Sequence, residues 1–587
     1  MRNILVLTLI AVSFFKVELI YSGKPAWPIY GMPAAVHYDP VRHEFVDKTP
    51  SWDMINVLED LREGRKKRSL PVRIPEKKEI RVKFNLFWRR EEASEEKFLL
   101  ITAVASKPYR QKVLLVNGPS QDPGDRFFGW PTPLLYAIAP TVEAIRGGLL
   151  NLSLADKIFD PWCYVEGVNS QEIKSSFRDK LEREGADIVC ASATYDSLYP
   201  TLQLFAEAKK LNPRIVTILG GPHFDEVHNI SALSDIFRHP ELIDYAIAGD
   251  GEIALRELLK ELSIKETANL QTVAENSTGR VWVYNNRGQS VSINKPLVLD
   301  ELPFIPIELA SDSHRLDFDV FTDEQGTILP TIQMIAARGC PYSCSFCSER
   351  KELAYPNVRS IGNIIQEIEL RKQQGFRVVF FDDSTFGAYP KLLDLLHELK
   401  NTGMKFGSLN RFNHLTNPKL VEEFREAGFV YFYCAIELYD DEALRRMMKF
   451  QTTSHIIRGM RNLADFGFTL GVSLLYGLPY ETEESIQATL DFTKEWVERG
   501  VIKLVSESVL SFHPGTPEGR DKNYSFDRTP PNLGYPWNRF EEGQWYHPAH
   551  VTPQYLEKIL IASQERFSYA LVRNRHSWVK KSSGVNG

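Results

Sequence analysis

Cysteine is scarce, with six residues in 587. That count excludes a disulfide framework, which small secreted domains build from dense cysteines. Three of the six, Cys163, Cys190 and Cys434, stand alone. Cys190 in ADIVCASAT and Cys434 in VYFYCAIE lie in apolar runs and read as small buried hydrophobes. Charge of one sign is lacking too. A net charge of -6 gives no field for nucleic acid, and the one basic run, Arg65-Lys66-Lys67-Arg68, reads as a solvated loop. Long apolar runs are also missing. Ile4 to Phe15, after Arg2, looks like a signal-peptide core, yet it is too short to span a bilayer and no A-x-A site follows. A buried strand or helix, or a misplaced start codon, is its other reading, and no stable membrane insertion is expected. No G-x-G-x-x-G follows the first apolar strand of the regular region, which disfavours a dinucleotide site. What remains is ordinary globular composition, 43% hydrophobic and 25% charged, in a chain too long for one core.

From Gln111 short apolar strands alternate with amphipathic helices. KVLLVNGPS is a strand ending in a turn at Asn117-Gly118-Pro119-Ser120, a helix follows near LLYAIAPTVEAIRGG, and a short strand is expected at Lys157–Asp160. DIVCAS, IVTILGG and DYAIAGDGE supply more strands, with helices between and after them. About five strands over roughly 150 residues predict a doubly wound, flavodoxin-like α/β domain over residues 110–264. Residues 1–109 mix proline, charge runs and aromatics without sustained period and read as a poorly defined N-terminal extension. Residues 265–325 read as a connector, with RVWVYNNRGQSVSI a hairpin turning on Asn285-Asn286. A second alternation fills 326–518, with strands in TIQMIAAR, RVVFFDD, KFGSLNR, VYFYCAIE, TLGVSLLYGLP and VIKLVSESVLSF. Eight β/α units would close a barrel. Six predict a partial (β/α)6 TIM-type barrel, with its chemistry at the C-terminal ends of the strands. The aromatic-rich tail, 519–587, has one helix from Pro553 to Arg573 and either caps the barrel or packs as an appendage.

The remaining cysteines fall within eight positions. RGCPYSCSFCSER, Arg338 to Arg350, carries Cys340, Cys344 and Cys347 as C-x3-C-x2-C in the loop after the first barrel strand. Three thiolates on one short loop hold three corners of a cubane [4Fe–4S] cluster and leave the fourth iron without a protein ligand. Zinc is the rival. Structural zinc prefers four protein ligands, usually as two separated pairs, and neither a second pair nor a nearby C-x-H is present. A thiolate cluster fares badly in an oxidising compartment, so a cytoplasmic location is expected.

The pattern C-x3-C-x-aromatic-C, with Phe346 before the last cysteine, resembles that of the radical S-adenosylmethionine (SAM) enzymes. The resemblance implies that the amine and carboxylate of SAM chelate the unique iron. It implies that an electron from the cluster cleaves SAM to methionine and a 5′-deoxyadenosyl radical, which takes hydrogen from substrate. Cys340, Cys344 and Cys347 are then the metal ligands and Phe346 lies at SAM. Later strand ends match the same family: Asp382 and Asp383 in VVFFDDSTF toward the SAM amine, Arg411 in SLNRF toward its carboxylate, Glu437 in CAIEL toward a ribose hydroxyl, and Gly477 and Pro479 in YGLPYET. HPGTP, His513 to Pro517, matches a further turn. Plainer readings stand beside these: a helix N-cap for one of the aspartates and an ion pair for Glu437. An arginine fork does suit a carboxylate. An electron donor such as flavodoxin or ferredoxin is implied, and no catalytic residue toward substrate is assigned.

Glycine-bearing loops fall at the upstream strand ends as well: Asn117–Ser120, Ser192-Ala193-Thr194, Gly220-Gly221-Pro222 and Gly249-Asp250-Gly251-Glu252. Open α/β sheets bind ligands there, and glycine admits close approach of a large flat ligand. LLVNGPS, LGGPH and GDGE are similar to the cobalamin-binding domain of B12-dependent radical SAM proteins. The implied cobalamin contacts are Asn117, Ser192, Thr194, Gly220, Gly221, Pro222, Gly249, Gly251 and Glu252. The resemblance covers roughly residues 110 to 520. The loop NGPSQDPGD lacks the histidine that other cobalamin carriers supply to cobalt, as radical SAM members commonly do. The implied activity is methylation of an unactivated carbon of a small-molecule or natural-product substrate. An oxidative cyclisation or rearrangement with the same cofactors is one alternative. A cobalamin- or metal-binding sensor without turnover is another. A methylthiotransferase is disfavoured, since the N-terminal domain has no second cysteine triad.

Overall fold

The computed structural model describes residues 5–12, 14–22, 37–39, 44–46, 69–73, 79–90, 97–108, 110–118, 132–160, 170–193, 197–221, 241–310, 320–347, 349, 357–510, 516–517, 553–564 and 566–567. Two compact units divide the chain, Met1–Gln111 and Lys112–Gly587. The first is an antiparallel five-stranded sheet of Leu5–Val12, Phe14–Ser22, Lys97–Pro108, Glu79–Arg90 and Ser69–Arg73, in that spatial order. Leu5–Val12 and the start of Phe14–Ser22 lie within the apolar run Ile4 to Phe15. Among the described residues no helix is long and apolar enough to cross a membrane.

The second unit holds two parallel sheets. The upstream one runs Leu152–Leu154, Gln111–Asn117, Ile188–Ser192, Val216–Gly220, Tyr245–Gly249, which in chain order is 2-1-3-4-5, the flavodoxin-like winding. The second strand lies at Leu152–Leu154, ahead of the expected Lys157–Asp160, where Phe159 makes a single parallel bridge to Val116. Alternation explains the layers. Val113 and Leu115 join one buried cluster and Leu114 and Val116 another, so helices cover both faces. The hairpin expected inside the connector, Gly279–Asn285 with Ser290–Lys295, extends this sheet antiparallel on Tyr245–Gly249. Its turn lies at Asn286 to Gly288, and Gly288 takes the positive φ of 75° that the reversal needs.

Gly249, at the end of the fifth strand, has φ +96°, and a Cβ there would lie 2.0 Å from the Arg280 carbonyl oxygen. Gly249→Ala is expected to cost about 1–3 kcal/mol from backbone strain alone. A urea titration checks this, and an unchanged midpoint would refute the packing of this strand end against the hairpin.

The downstream sheet is six parallel strands in sequential order: Thr331–Met334, Val378–Phe381, Lys405–Asn410, Phe429–Glu437, Thr469–Tyr476 and Ile502–Val509. Helices follow each of the second to fifth strands, and Ile361–Gln373 follows the cysteine loop. Val379 and Phe381 join the large core with helix residues Ile364 and Ile368. Their neighbours Val378 and Phe380 turn the other way, to Phe321, Tyr431, Tyr433 and Leu504. Glycine makes room for this plug: a Cβ at Gly407 would lie 2.6 Å from the Phe321 ring, and one at Gly471 2.1 Å from the Tyr431 hydroxyl. The aromatic floor sits below Asp382, Asp383 and the other strand ends, which leaves the C-terminal mouth for chemistry.

Candidate functional site

The first barrel strand leaves the sheet under restraint. Asp383, at the end of the second strand, accepts the N–H of Ala336 at 3.0 and 3.2 Å and that of Ala337 at 2.5 Å. Ala337–Arg338 then pairs antiparallel with Asn357–Val358, and Gly339 turns the chain at φ 80°. Cys340 and Cys344 are buried and Cys347 is half-buried. The Cys347 N–H donates to the Cys344 carbonyl at 3.3 Å, and the Ser345 N–H to the Met447 carbonyl at 2.9 Å, which ties the loop to the segment after the fourth strand. Burial first, then the nearby Cys344, pushes the Cys340 thiol up. Burial does the same to Cys347, with Glu349, Cys344 and Cys340 adding to it. Among the described residues no trio of metal-ligating side chains is closed on one point. The loop instead gathers three thiols within electrostatic reach, where thiolates repel one another unless a cationic centre is present. That donor set fits an iron–sulfur cluster.

Arg411, at the end of the third strand, meets this loop. Its Nη1 donates to Cys344 Sγ at 3.5 Å and its guanidinium stacks on the Tyr342 ring at 3.9 Å. The other terminal nitrogen, Nη2, is buried without a hydrogen-bond partner, in a residue only 6% exposed. An unpartnered buried guanidinium nitrogen is costly, and an anionic ligand such as a carboxylate would satisfy it. Nearby strand ends hold more unpartnered polar atoms, Asn410 Nδ2 and Thr385 Oγ1.

The other proposed SAM residues are placed as follows. Asp383 is committed to the Ala336 and Ala337 amides, so it positions the cysteine loop; neither aspartate caps a described helix. Asp382 is half-buried beside it, and burial with the neighbouring carboxylates of Glu349 and Asp383 raises its pKa to about 8. Glu437 ends the fourth strand at φ 61°, a strained conformation for a residue with a Cβ, where the register against the fifth strand shifts. Its Oε1 accepts from Lys449 Nζ at 2.5 Å, so the plainer ion-pair reading is realised. Lys449 also lies 5.5 Å over the half-buried ring of Phe346. At the fifth strand end the Gly477 N–H reaches Glu481 at 2.8 Å and Tyr555 Oη at 2.8 Å, while Pro479 is exposed. Tyr555 belongs to helix Pro553–Gln564, so the tail packs on this turn. Sequence reasoning missed Tyr342, Asn413, His414, Lys449 and Tyr555. Only Tyr342 carried a signal, lying between two of the cysteines.

The doubly wound strand ends give a mixed result. Asn117, Ser192, Gly220 and Gly249 end four strands, while Thr194, Pro222, Cys163, His223 and His513 lie outside the described residues. The glycines answer to the protein itself. A Cβ on Gly221, φ +113°, would lie 2.4 Å from the Ala193 amide nitrogen, and one on Gly251 3.0 Å from Ile247. Glu252 is buried and pairs with Arg338, which Asp250 also faces at 3.6 Å. Arg338 belongs to the cysteine loop, so Glu252 joins the two sheets' functional edges. The sheet order and its switch point between the first and third strands are what fit a large ligand here.

Residues 334–493 match the model of the radical SAM superfamily. An uncharacterized methyltransferase of Pyrococcus horikoshii is 24% identical over 65% of this chain and 78% of its own length. The anaerobic magnesium-protoporphyrin IX monomethyl ester cyclase of Rubrivivax gelatinosus is 25% identical over 66% of each chain. Among solved structures, the cobalamin-dependent SAM radical enzyme OxsB, with aqua-cobalamin and SAM bound, covers 87% of this chain and 78% of its own at 16% identity, with a TM-score of 0.52. The three-cysteine loop, the six-stranded parallel barrel and these likenesses agree: residues 334–493 carry a radical SAM domain, and the chain shares the fold of the cobalamin-dependent SAM radical enzyme OxsB.

Proposed function

We propose that the protein is a cobalamin-dependent radical SAM enzyme that methylates an unactivated carbon of a small-molecule substrate. Cys340, Cys344 and Cys347 hold a [4Fe–4S] cluster, SAM lies across the barrel mouth, and cobalamin lies at the doubly wound strand ends. The observation that supports this best is Arg411, with one nitrogen on a cluster thiol and another buried and open beside it. When bound, the cluster and SAM supply a 5′-deoxyadenosyl radical, and cobalamin supplies the methyl group.

The protein's own residues bind and orient. The free Nη2 of Arg411 takes the SAM carboxylate, and Asp382 accepts from the N–H groups of its amine, which favours the ionised carboxylate. Asp383 fixes the backbone before the cysteines. Glu437 keeps acceptor capacity for a ribose hydroxyl beyond its bond to Lys449. The aromatic floor of Phe321, Phe380 and Tyr431 closes the barrel below the site and excludes water from that side. A flavodoxin or ferredoxin supplies the electron, and the location is cytoplasmic.

The likeness to the Rubrivivax cyclase favours a second reading, oxidative cyclisation with the same cofactors. Anaerobically reconstituted protein given cobalamin, trideuteromethyl-SAM and substrate-bearing cell extract tests both. Methylation predicts 5′-deoxyadenosine together with a product three deuterons heavier. Deoxyadenosine with an unlabelled product supports the cyclase reading, and neither product refutes both.

A further inference from the structure

Beside the cysteines a polar chain runs from Arg411 through Asn413, Tyr342 and His414, three residues that the SAM reading does not use. Arg411 Nε donates to Asn413 Oδ1 at 3.3 Å, and Asn413 Nδ2 donates to Tyr342 Oη at 3.2 Å. The Tyr342 hydroxyl meets His414 Nε2 at 2.5 Å, and the rings sit edge to face at 5.9 Å. Its far side is held by the backbone of Gly387, and burial with the Arg411 charge presses the His414 pKa down to about 4. A neutral imidazole has one donor and one acceptor nitrogen. With the Gly387 side donating, Nε2 accepts, so the Tyr342 O–H donates to it and the phenol oxygen stays open to Asn413. The chain therefore has one direction. A Cβ at Gly387 would lie 3.0 Å from His414 Cβ and 2.6 Å from Asn410 Oδ1, so glycine is needed for this close approach. The tyrosine is also the stacking face of Arg411, 3.9 Å from its guanidinium. Arg411 is thus gripped at Nε and on its face, and its Nη1 is delivered to Cys344 Sγ.

We infer that Tyr342, Asn413 and His414 are positioning residues for Arg411, and that Arg411 raises the reduction potential of the cluster by donating to the sulfur of Cys344. The inference rests on the cluster reading above. A cation and an N–H···S bond both stabilise the reduced, more negative cluster, and hydrogen bonds to sulfur are an established control of such potentials. A lysine keeps the charge and loses the fork. A phenylalanine at Tyr342 keeps the stacking ring and loses the hydroxyl joining Asn413 to His414.

The test is an EPR-monitored redox titration of the full chain, reconstituted with iron and sulfide, without SAM. At the wild-type midpoint, Arg411→Gln is expected to shift the oxidised-to-reduced ratio about tenfold toward oxidised, about 59 mV for one electron. Arg411→Lys and Tyr342→Phe are expected to shift it severalfold in the same direction, with iron content unchanged. A merely structural role would change iron content or folding and leave the midpoint of loaded protein in place. Should Arg411→Gln fail to take up iron, Tyr342→Phe decides, because it leaves the guanidinium present. Wild-type midpoints in the loaded variants overturn the inference. Wild-type protein that binds no iron overturns the cluster reading instead.

Discussion

Cys344→Ala protein, reconstituted anaerobically, is expected to lose its iron from about four per chain to background, and with it all 5′-deoxyadenosine formation. The expectation follows from position. Cys344 is the middle thiol, buried, and receives the Arg411 hydrogen bond. Its carbonyl also accepts the Cys347 N–H, so the two sulfurs share one turn. Alanine keeps that backbone turn and removes only the donor, so folding should stay near wild type and the loss is chemical. Iron quantitation and the visible absorption of the cluster check it. Retained iron with retained turnover would mean that the thiol is a spectator. A sensor without turnover predicts something different again: no deoxyadenosine from wild type, and function surviving the substitution.

Glu367→Ala should produce the largest loss of stability, about 3–5 kcal/mol. Glu367 is fully buried and faces two guanidinium groups, Arg359 at 2.7 Å and Arg371 at 2.6 Å, each only a few per cent exposed. Removing it strands two buried cations that water cannot reach. The damage would not stay local. Arg359 Nη1 also donates to the Ile335 carbonyl at 2.9 Å, at the exit of the first barrel strand toward the cysteines, and Arg371 Nη2 to the Ile305 carbonyl at 3.0 Å in the segment before the barrel. Urea unfolding of iron-free protein measures the cost. A change under about 1 kcal/mol, the range of an exposed pair, would contradict the burial of this triad.

What could be read from the sequence is what repeats or stays local. The alternation of apolar strands with amphipathic helices predicts both parallel sheets, because each strand buries two faces and each helix one. The cysteine spacing predicts a ligand set because all three thiols lie on one loop. The residues that aim the site were not legible, since they meet across long separations. Arg338 reaches Glu252 at the start of the helix after the upstream sheet's fifth strand, Tyr342 reaches His414 over 72 positions, and Tyr555 reaches Gly477 over 78. No period or spacing marks such pairs. The glycines at the upstream strand ends carry two readings at once. GG and GDG invite a ligand reading, yet Gly221 and Gly249 are required first by the chain's own backbone. Similarly, the paired aspartates suggest one shared role, whereas Asp383 accepts from two backbone amides and Asp382 beside it is half-buried. The N-terminal region gave no sustained period, although its strands form a five-stranded antiparallel sheet.

The proposed chemistry needs a loop of three thiols that leaves one metal corner open to SAM. The most direct measurement compares the low-temperature EPR spectrum of reduced, reconstituted wild-type protein with and without SAM. The expected result is a cubane signal whose g-values move when SAM is added. A signal indifferent to SAM, or a protein that takes up zinc and gives no iron–sulfur signal, would contradict it.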